Sequence, residues 1–388
     1  MSKNYKDNLP ITATKFMEEF RRYQKGSVSR RHFLGVTGLG TAMAVMGAAM
    51  PSMMSRPAHA AGDLGDRLVF STWPNYHNPV NIETFTADTG VNVQINAFGS
   101  NEEMLAKLQA GATGWDVFVP TNYTISNYVA LDLIQELDLS RLPNHDPSSQ
   151  NPRFSDPATV NGKVYAVLKN WGTTGIVYNS KSLKKGPTSW KEFFEITMGE
   201  GSGHTIVHDY QLTTIGAALC ALGHSFNSID AGELAEAEKV LIDSKPHLFA
   251  ITSDYQPGMR SGDAWMSICW NGDGLQLNKD MPEMKYLIAT DGGEIWSDFY
   301  CIPKSSPHLD AAYAFINFLL DPKVQVLEVE SHGYATGDSR VAALLPAETA
   351  NNEILFPAAE LMNGLEFGAA ETLTDPIRAE VIARFKSA

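Results

Sequence analysis

Cysteine is nearly absent from this chain. Three residues in 388, Cys220, Cys269 and Cys301, stand apart inside apolar stretches. At least one therefore has no partner within the chain, and the set reads as buried small residues rather than a disulfide framework or thiolate metal site. Catalytic signatures are missing too: there is no H-E-x-x-H, no G-x-S-x-G and no dinucleotide fingerprint, the usual marks of zinc hydrolases, serine hydrolases and Rossmann enzymes. Gly199-Glu200-Gly201-Ser202-Gly203 lacks the Lys and Ser/Thr of a phosphate loop and reads as a turn before a strand. His204 and His208 fall on a predicted strand, where residues four apart lie about 13 Å from each other, too far to share an ion. Neither cofactor nor metal is expected.

Basic charge is scarce after residue 60. The first 60 residues hold 9 of the 30 Lys and Arg but 3 of the 44 Asp and Glu, leaving 21 against 41 and a formal net charge near −20. Such a surface repels nucleic acid and anionic membrane and attracts cations.

The basic N-terminal part carries a motif of its own. Ser29-Arg30-Arg31-His32-Phe33-Leu34, a mildly apolar stretch from Phe33 to Met54 and the A-x-A run Ala58-His59-Ala60 look like a twin-arginine export signal. Gly35, Gly38, Gly40, Gly47 and Pro51 interrupt the apolar stretch, which makes it too soft for a membrane-spanning helix. No Cys lies near the cleavage site, so a lipid anchor is not expected. Residues 1–60 are read as signal peptide with an N-terminal extension, the twin-arginine machinery as a partner, and the product from Ala61 onward as periplasmic.

Those remaining 328 residues suffice for two domains with full cores, and their pattern alternates strand and helix. Arg67–Thr72 reads as a strand ending in Trp73-Pro74-Asn75-Tyr76, and Val80–Thr89 as a helix. Val91–Ala97 follows as a strand, then a capping box from Ser100 opening a helix through Leu108. Trp115–Pro120 is a buried strand ending at Thr121-Asn122-Tyr123. In the second half, His204–Val207 runs into Asp209-Tyr210 and a helix over Leu212–Leu222. Ala264–Cys269 ends in the loop Trp270-Asn271-Gly272-Asp273-Gly274, and Asp310–Glu328 is an amphipathic helix with a break at Pro322. This order predicts parallel α/β sheets with ligands beyond the carboxyl ends of the strands, where the aromatic loops fall.

Seven segments in order carry a resemblance. They are Trp73-x-x-Tyr76, Ser100-Asn101-Glu102-x-Met104-x-Ala106-Lys107-Leu108, Trp115-Asp116-Val117-Phe118-Val119-Pro120 with Tyr123, Trp270-Asn271-Gly272, Gly292-Gly293-x-x-Trp296-x-Asp298, Ile316–Pro322 and Gly333-Tyr334. With these the chain resembles the periplasmic spermidine/putrescine-binding proteins of ABC importers along nearly its whole length after residue 60. The resemblance implies an α/β two-lobed type II periplasmic-binding fold that closes over ligand, with no enzymatic activity and an ABC permease in the inner membrane as partner. Lobe one would be 61–170 plus 299–345, and lobe two 171–298 plus 346–388.

A protonated amine on a methylene chain needs apolar walls, π faces and a carboxylate. By resemblance, Trp73, Tyr76, Tyr123, Trp270, Trp296 and Tyr334 form the aromatic wall, Asp298 is the anchor, and Asn75, Thr121 and Tyr210 complete the set. The departures are specific: Asn75, Tyr210 and Thr213 stand where polyamine binders tend to carry acids. Asp209, Asp273 and Glu366 are possible replacements, each equally readable as a solvated or capping residue. A monocationic, quaternary or zwitterionic amine is thus the alternative solute, and an exported enzyme the remaining, weaker one.

Overall fold

A computed structural model describes residues 64–388; the twin-arginine segment and the A-x-A run lie outside these residues. Strand β1 (Arg67–Thr72) leads through α1 (Pro79–Thr89) to β2 (Asn92–Ala97). Asn78 caps α1, Pro79 fills its first turn, and Gly90 ends it at φ +79°, a left-handed conformation that suits glycine. Helix α2 (Asn101–Gln109) opens as expected on Ser100, whose Oγ accepts from Glu103 N at 3.1 Å. The return bond goes one residue further back, with Gly99 N donating to Glu103 Oε2 at 2.8 Å. Strand β3 (Val117–Phe118) completes a parallel trio in which β1 pairs with both neighbours.

After a small hairpin of β4 (Thr159–Val160) and β5 (Lys163–Val164), the chain enters the 14-residue strand β6 (Ala166–Asn179). Strand β7 (Thr205–Val207), helix α3 (Gln211–Ala221), β8 (Leu248–Ile251), β9 (Met266–Trp270) and α4 (Asn271–Asp280) build a second parallel group. Next, β10 (Met284–Leu287) pairs antiparallel to β6, and β11 (Gly293–Cys301) runs back along it. Helices α5 (Leu309–Leu319) and α6 (Pro322–His332) follow, then β12 (Leu365–Phe367) beside β11 and the terminal α7 (Pro376–Ser387). The main sheet order is β2-β1-β3-β11-β6-β9-β7-β8.

Three expectations change. The sheets are not purely parallel: a chain that passes to a second lobe and returns lays two strands side by side in opposite directions, so β6 and β11 pair antiparallel. Asn271–Gly274 is not a loop but the first turn of α4. Its glycines serve packing, since a Cβ on Gly272 would meet the Tyr334 ring at 2.5 Å and one on Gly274 the Tyr286 ring at 2.7 Å. Within Trp115–Pro120 only Val117 and Phe118 are paired as strand. The break at Pro322 is real, with Asp321 capping α6 there. All three cysteines are free and buried.

The first lobe's core centres on Phe70, Phe85 and Phe315, in edge contacts of 5.2 and 5.0 Å between ring centroids. In the second, Leu212, Ile215 and Leu219 of α3 pack with Phe226, Leu241 and Phe385. Packed clusters on both sides leave the β6–β11 ribbon to floor whatever opens there.

Candidate ligand-binding cleft

A cavity of about 880 Å³ opens over that ribbon, a size suited to a small molecule. Residues i, i+2 and i+4 of a strand share one face, so Glu294, Trp296 and Asp298 point together into it. Their partners across the ladder are Thr174, Gly172 and Asn170. The middle rung needs glycine: a Cβ on Gly172 would sit 2.5 Å from the Trp296 ring. At the last rung the pairing slips, Asp298 facing Asn170 and Phe299 facing Leu168, which leaves Lys169 as the extra residue of a bulge.

The bulge re-aims Lys169 into the protein, 1% exposed. Its Nζ lies 3.6 Å from Glu328 Oε2, 3.3 Å from His332 Nε2 and 4.3 Å from the centre of the Tyr76 ring. Tyr76 Oη in turn sits 2.8 Å from Asp298 Oδ2 and 2.6 Å from Asn170 Oδ1. Asp298 Oδ1 and Trp296 Nε1 are buried and make no hydrogen bond among the described residues, which leaves both with capacity for a partner such as water or a ligand.

The other end of the floor is built from hydroxyls. Glu294 Oε2 accepts from Thr174 Oγ1 at 2.6 Å and from Thr213 Oγ1 at 3.2 Å, and Thr213 and Tyr210 share a further hydroxyl–hydroxyl bond. Burial pushes both acids up to about 7. The Thr174 and Thr213 hydroxyls oppose this at Glu294; Thr121, Tyr76 and the Lys169 charge oppose it at Asp298.

All ten residues singled out in the sequence line this cavity. Trp73 is fixed by its Nε1, which donates to Val119 O at 3.1 Å, and Asn75 occupies the mouth at φ +57°, a conformation Asn tolerates. Asn101 Nδ2 donates to both Thr121 Oγ1 and Tyr123 Oη at 3.0 Å. Tyr210 and Trp270 lie nearly parallel (19°, 6.4 Å), facing Trp296 and Tyr334 in edge contact (64°, 5.2 Å). Behind Trp270, at 4.7 Å, sits His208, which burial pushes down to about 3 and so keeps neutral. His204 instead stacks on Trp265.

Of the three possible replacement acids, Asp209 and Asp273 line the cavity and Glu366 does not. Glu366 is tied to Ser225, Phe226 and Asn227. Asp273 accepts from Tyr255 Oη at 2.8 Å. Sequence reasoning missed Glu294 and Lys169. The signal for the first was the Glu-x-Trp-x-Asp alternation, legible only once 293–301 is known to be a strand; Lys169 was marked only as a lone cation in the apolar run 166–179.

Residues 81–357 match the model of a family described as bacterial extracellular solute-binding protein. The chain belongs to that family. The spermidine/putrescine-binding periplasmic protein of Escherichia coli (strain K12) is 32% identical over 327 residues, covering 81% of this chain and 91% of its own. A putrescine-binding periplasmic protein of Pseudomonas aeruginosa (strain UCBPP-PA14) is 28% identical over 309 residues, covering 76% and 84%. Among solved structures, a putative spermidine/putrescine ABC transporter protein from Listeria monocytogenes superposes with a TM-score of 0.77 at 29% identity, covering 83% of this chain and 99% of that one. The family resemblance, the two-lobed type II fold and an extracytoplasmic location thus stand together. This solute-binding protein binds its solute and does not transform it.

Proposed function

We propose that the cleft binds a linear polyamine of the putrescine/spermidine class and presents it to an ABC permease in the inner membrane. The observation that carries this reading is a buried carboxylate with an unpartnered oxygen, Asp298, set among Tyr76, Trp296, Tyr334 and, across the cleft, Trp270. A carboxylate offsets the lost hydration of an ammonium, and the rings supply π faces and apolar contact for the methylenes. The names of the relatives support the same class. Asn75, Tyr210 and Thr213, uncharged where acids were expected, favour a monocationic or zwitterionic amine as the second reading. Titration calorimetry with spermidine, putrescine and glycine betaine decides between them. Micromolar or tighter binding of either polyamine is expected, and binding of the betaine alone would overturn the proposal.

The lobes we propose are 61–170 with 299–345 and 171–298 with 346–388. Pairing of β12 with Gly293–Ile295 and packing of α7 on α3 support assigning the C-terminal segment to the second lobe. Closure over putrescine should reduce the radius of gyration in solution scattering; an unchanged radius would count against it. Export through the twin-arginine machinery is also proposed, on Arg30 and Arg31. Changing both to Lys should hold precursor in the cytoplasm, and normal export of that variant would end the assignment.

A further inference from the structure

We infer that Glu294 is the second charge anchor of the cleft, holding the far ammonium of an α,ω-diamine whose near ammonium is held by Asp298. The inference rests on the amine-binding reading above and adds a residue and a length requirement to it.

Thr213 holds a hydroxyl where an acid was expected, yet a carboxylate is at hand. Thr213 Oγ1 lies 3.2 Å from Glu294 Oε2, so the negative group has been supplied from the strand instead of the helix. Glu294 is 3% exposed and lines the cavity. A buried carboxylate is costly unless a cation or several donors compensate it, and among the described residues it makes no ion pair, only the two hydroxyl contacts. Both occupy Oε2, leaving Oε1 as the oxygen free for a ligand. The strand repeat fixes the rest. Positions 294 and 298 share a face, with α-carbons about 13 Å apart, and Trp296 between them packs over Gly172, where a Cβ would meet its ring at 2.5 Å. Acid, aromatic and acid in line match ammonium, methylene chain and ammonium. The groups around Glu294 are Thr174 of β6, Thr213 and Tyr210 at α3, Tyr123, Tyr286 of β10, and Asp298 on its own strand. None is a cation. Burial raises its pKa to about 7, so an ammonium placed beside it would favour the ionised form.

The test compares putrescine with butylamine, which has the same chain and one ammonium, by calorimetry on the purified protein at about pH 8, above both acids. Glu294→Gln is expected to weaken putrescine binding by about 30-fold or more, the effect of stranding one buried charge, and to change butylamine binding by less than about 3-fold. An exchange variant, Thr213→Glu with Glu294→Thr, should keep putrescine within about 10-fold of the parent. Matching thermal unfolding checks the fold; if Glu294→Gln does not fold, the exchange variant decides, retained preference for putrescine supporting the inference and a lost preference overturning it. Equal loss of both amines, or none, in Glu294→Gln would assign Glu294 a structural role only. If the parent binds neither amine, the functional reading falls with it; if the parent binds putrescine and the variants do not discriminate, only the role of Glu294 falls.

Discussion

At the Asp298 end of the cleft floor, a buried carboxylate is surrounded by Tyr76, Asn170 and, through the Tyr76 ring, the ammonium of Lys169. At the Glu294 end, four residues away on the same strand face, a carboxylate equally buried has only the hydroxyls of Thr174 and Thr213. The cation that favours ionisation is built into the protein at one end and has to arrive with the solute at the other. One strand therefore carries a prepared anchor, with a protein cation nearby, and an unprepared one without it, although burial raises both acids to about 7; the difference in surroundings comes from a single inserted residue. Without the bulge at Lys169 the ladder would continue past Asn170 in register, and that side chain would not reach Glu328.

The comparison breaks most visibly at Lys169. Its pKa is lowered by burial in spite of the Glu328 charge, so the ammonium is retained only through its partners. Lys169→Met would leave Glu328, 6% exposed, without its cation. Losing one partner of a buried pair costs about 3–5 kcal/mol of stability, readable as a shift in the denaturant midpoint. A loss below about 1 kcal/mol would mean the pair behaves as a surface pair and prepares nothing.

Next in size is the prepared anchor itself. Asp298→Asn should weaken putrescine and butylamine alike by about 2–4 kcal/mol, because an ammonium would then be desolvated without a counter-charge. Trp296→Ala, which removes the apolar rung between the acids, should cost about 1–3 kcal/mol. Calorimetry that found Asp298→Asn binding as tightly as the parent would move the anchor elsewhere, with Asp209, Asp254 and Asp273 the other cavity aspartates to test.

Much of this site was legible before any coordinates. Strand-end loops such as Trp73–Tyr76 and Thr121–Tyr123 announce themselves, because the carboxyl ends of parallel strands are where ligands sit and aromatics recur there. Ser100 marks a helix start by its chemistry alone. The ribbon was not legible in the same way. Twelve of the 14 residues of β6 in succession are buried on both faces, from Ala166 to Val177, so no alternation marks its direction, its bulge or its pairing with β11. Glu294 was hidden for that reason, since its meaning depends on register across the ladder and not on local pattern. Gly272 and Gly274 misled in the opposite sense: they read as a loop, and the Tyr334 and Tyr286 rings that require them are distant in sequence.

Per acid, the smallest effect concerns protons, and it sharpens the comparison most finely. Burial raises Asp298 from 3.8 and Glu294 from 4.5 to about 7. An acid whose folded pKa lies above its unfolded value contributes stability that is complete below the unfolded value and lost as pH climbs through the folded one. The ligand-free protein should therefore lose stability between about pH 4 and pH 7 on account of these two groups. Binding has the opposite slope, because an ammonium needs both acids ionised. Putrescine affinity should rise by about 10- to 30-fold per acid between about pH 5.5 and pH 8, and the amine-induced rise in unfolding temperature with it. The neighbouring phenols and imidazoles do not share this window. Burial holds the phenols of Tyr76, Tyr123 and Tyr210 far above it and the imidazoles of His208 and His332 below it. Among the other cleft acids, Asp273 is also raised by burial and is controlled for through Asp273→Asn. Glu294→Gln should remove one proton's worth of slope for putrescine and leave the slope for butylamine, set by Asp298 alone, as it was. A pH-independent affinity in the parent would show that neither acid changes its protonation on binding, and the distinction between prepared and unprepared anchors would then have no chemical content.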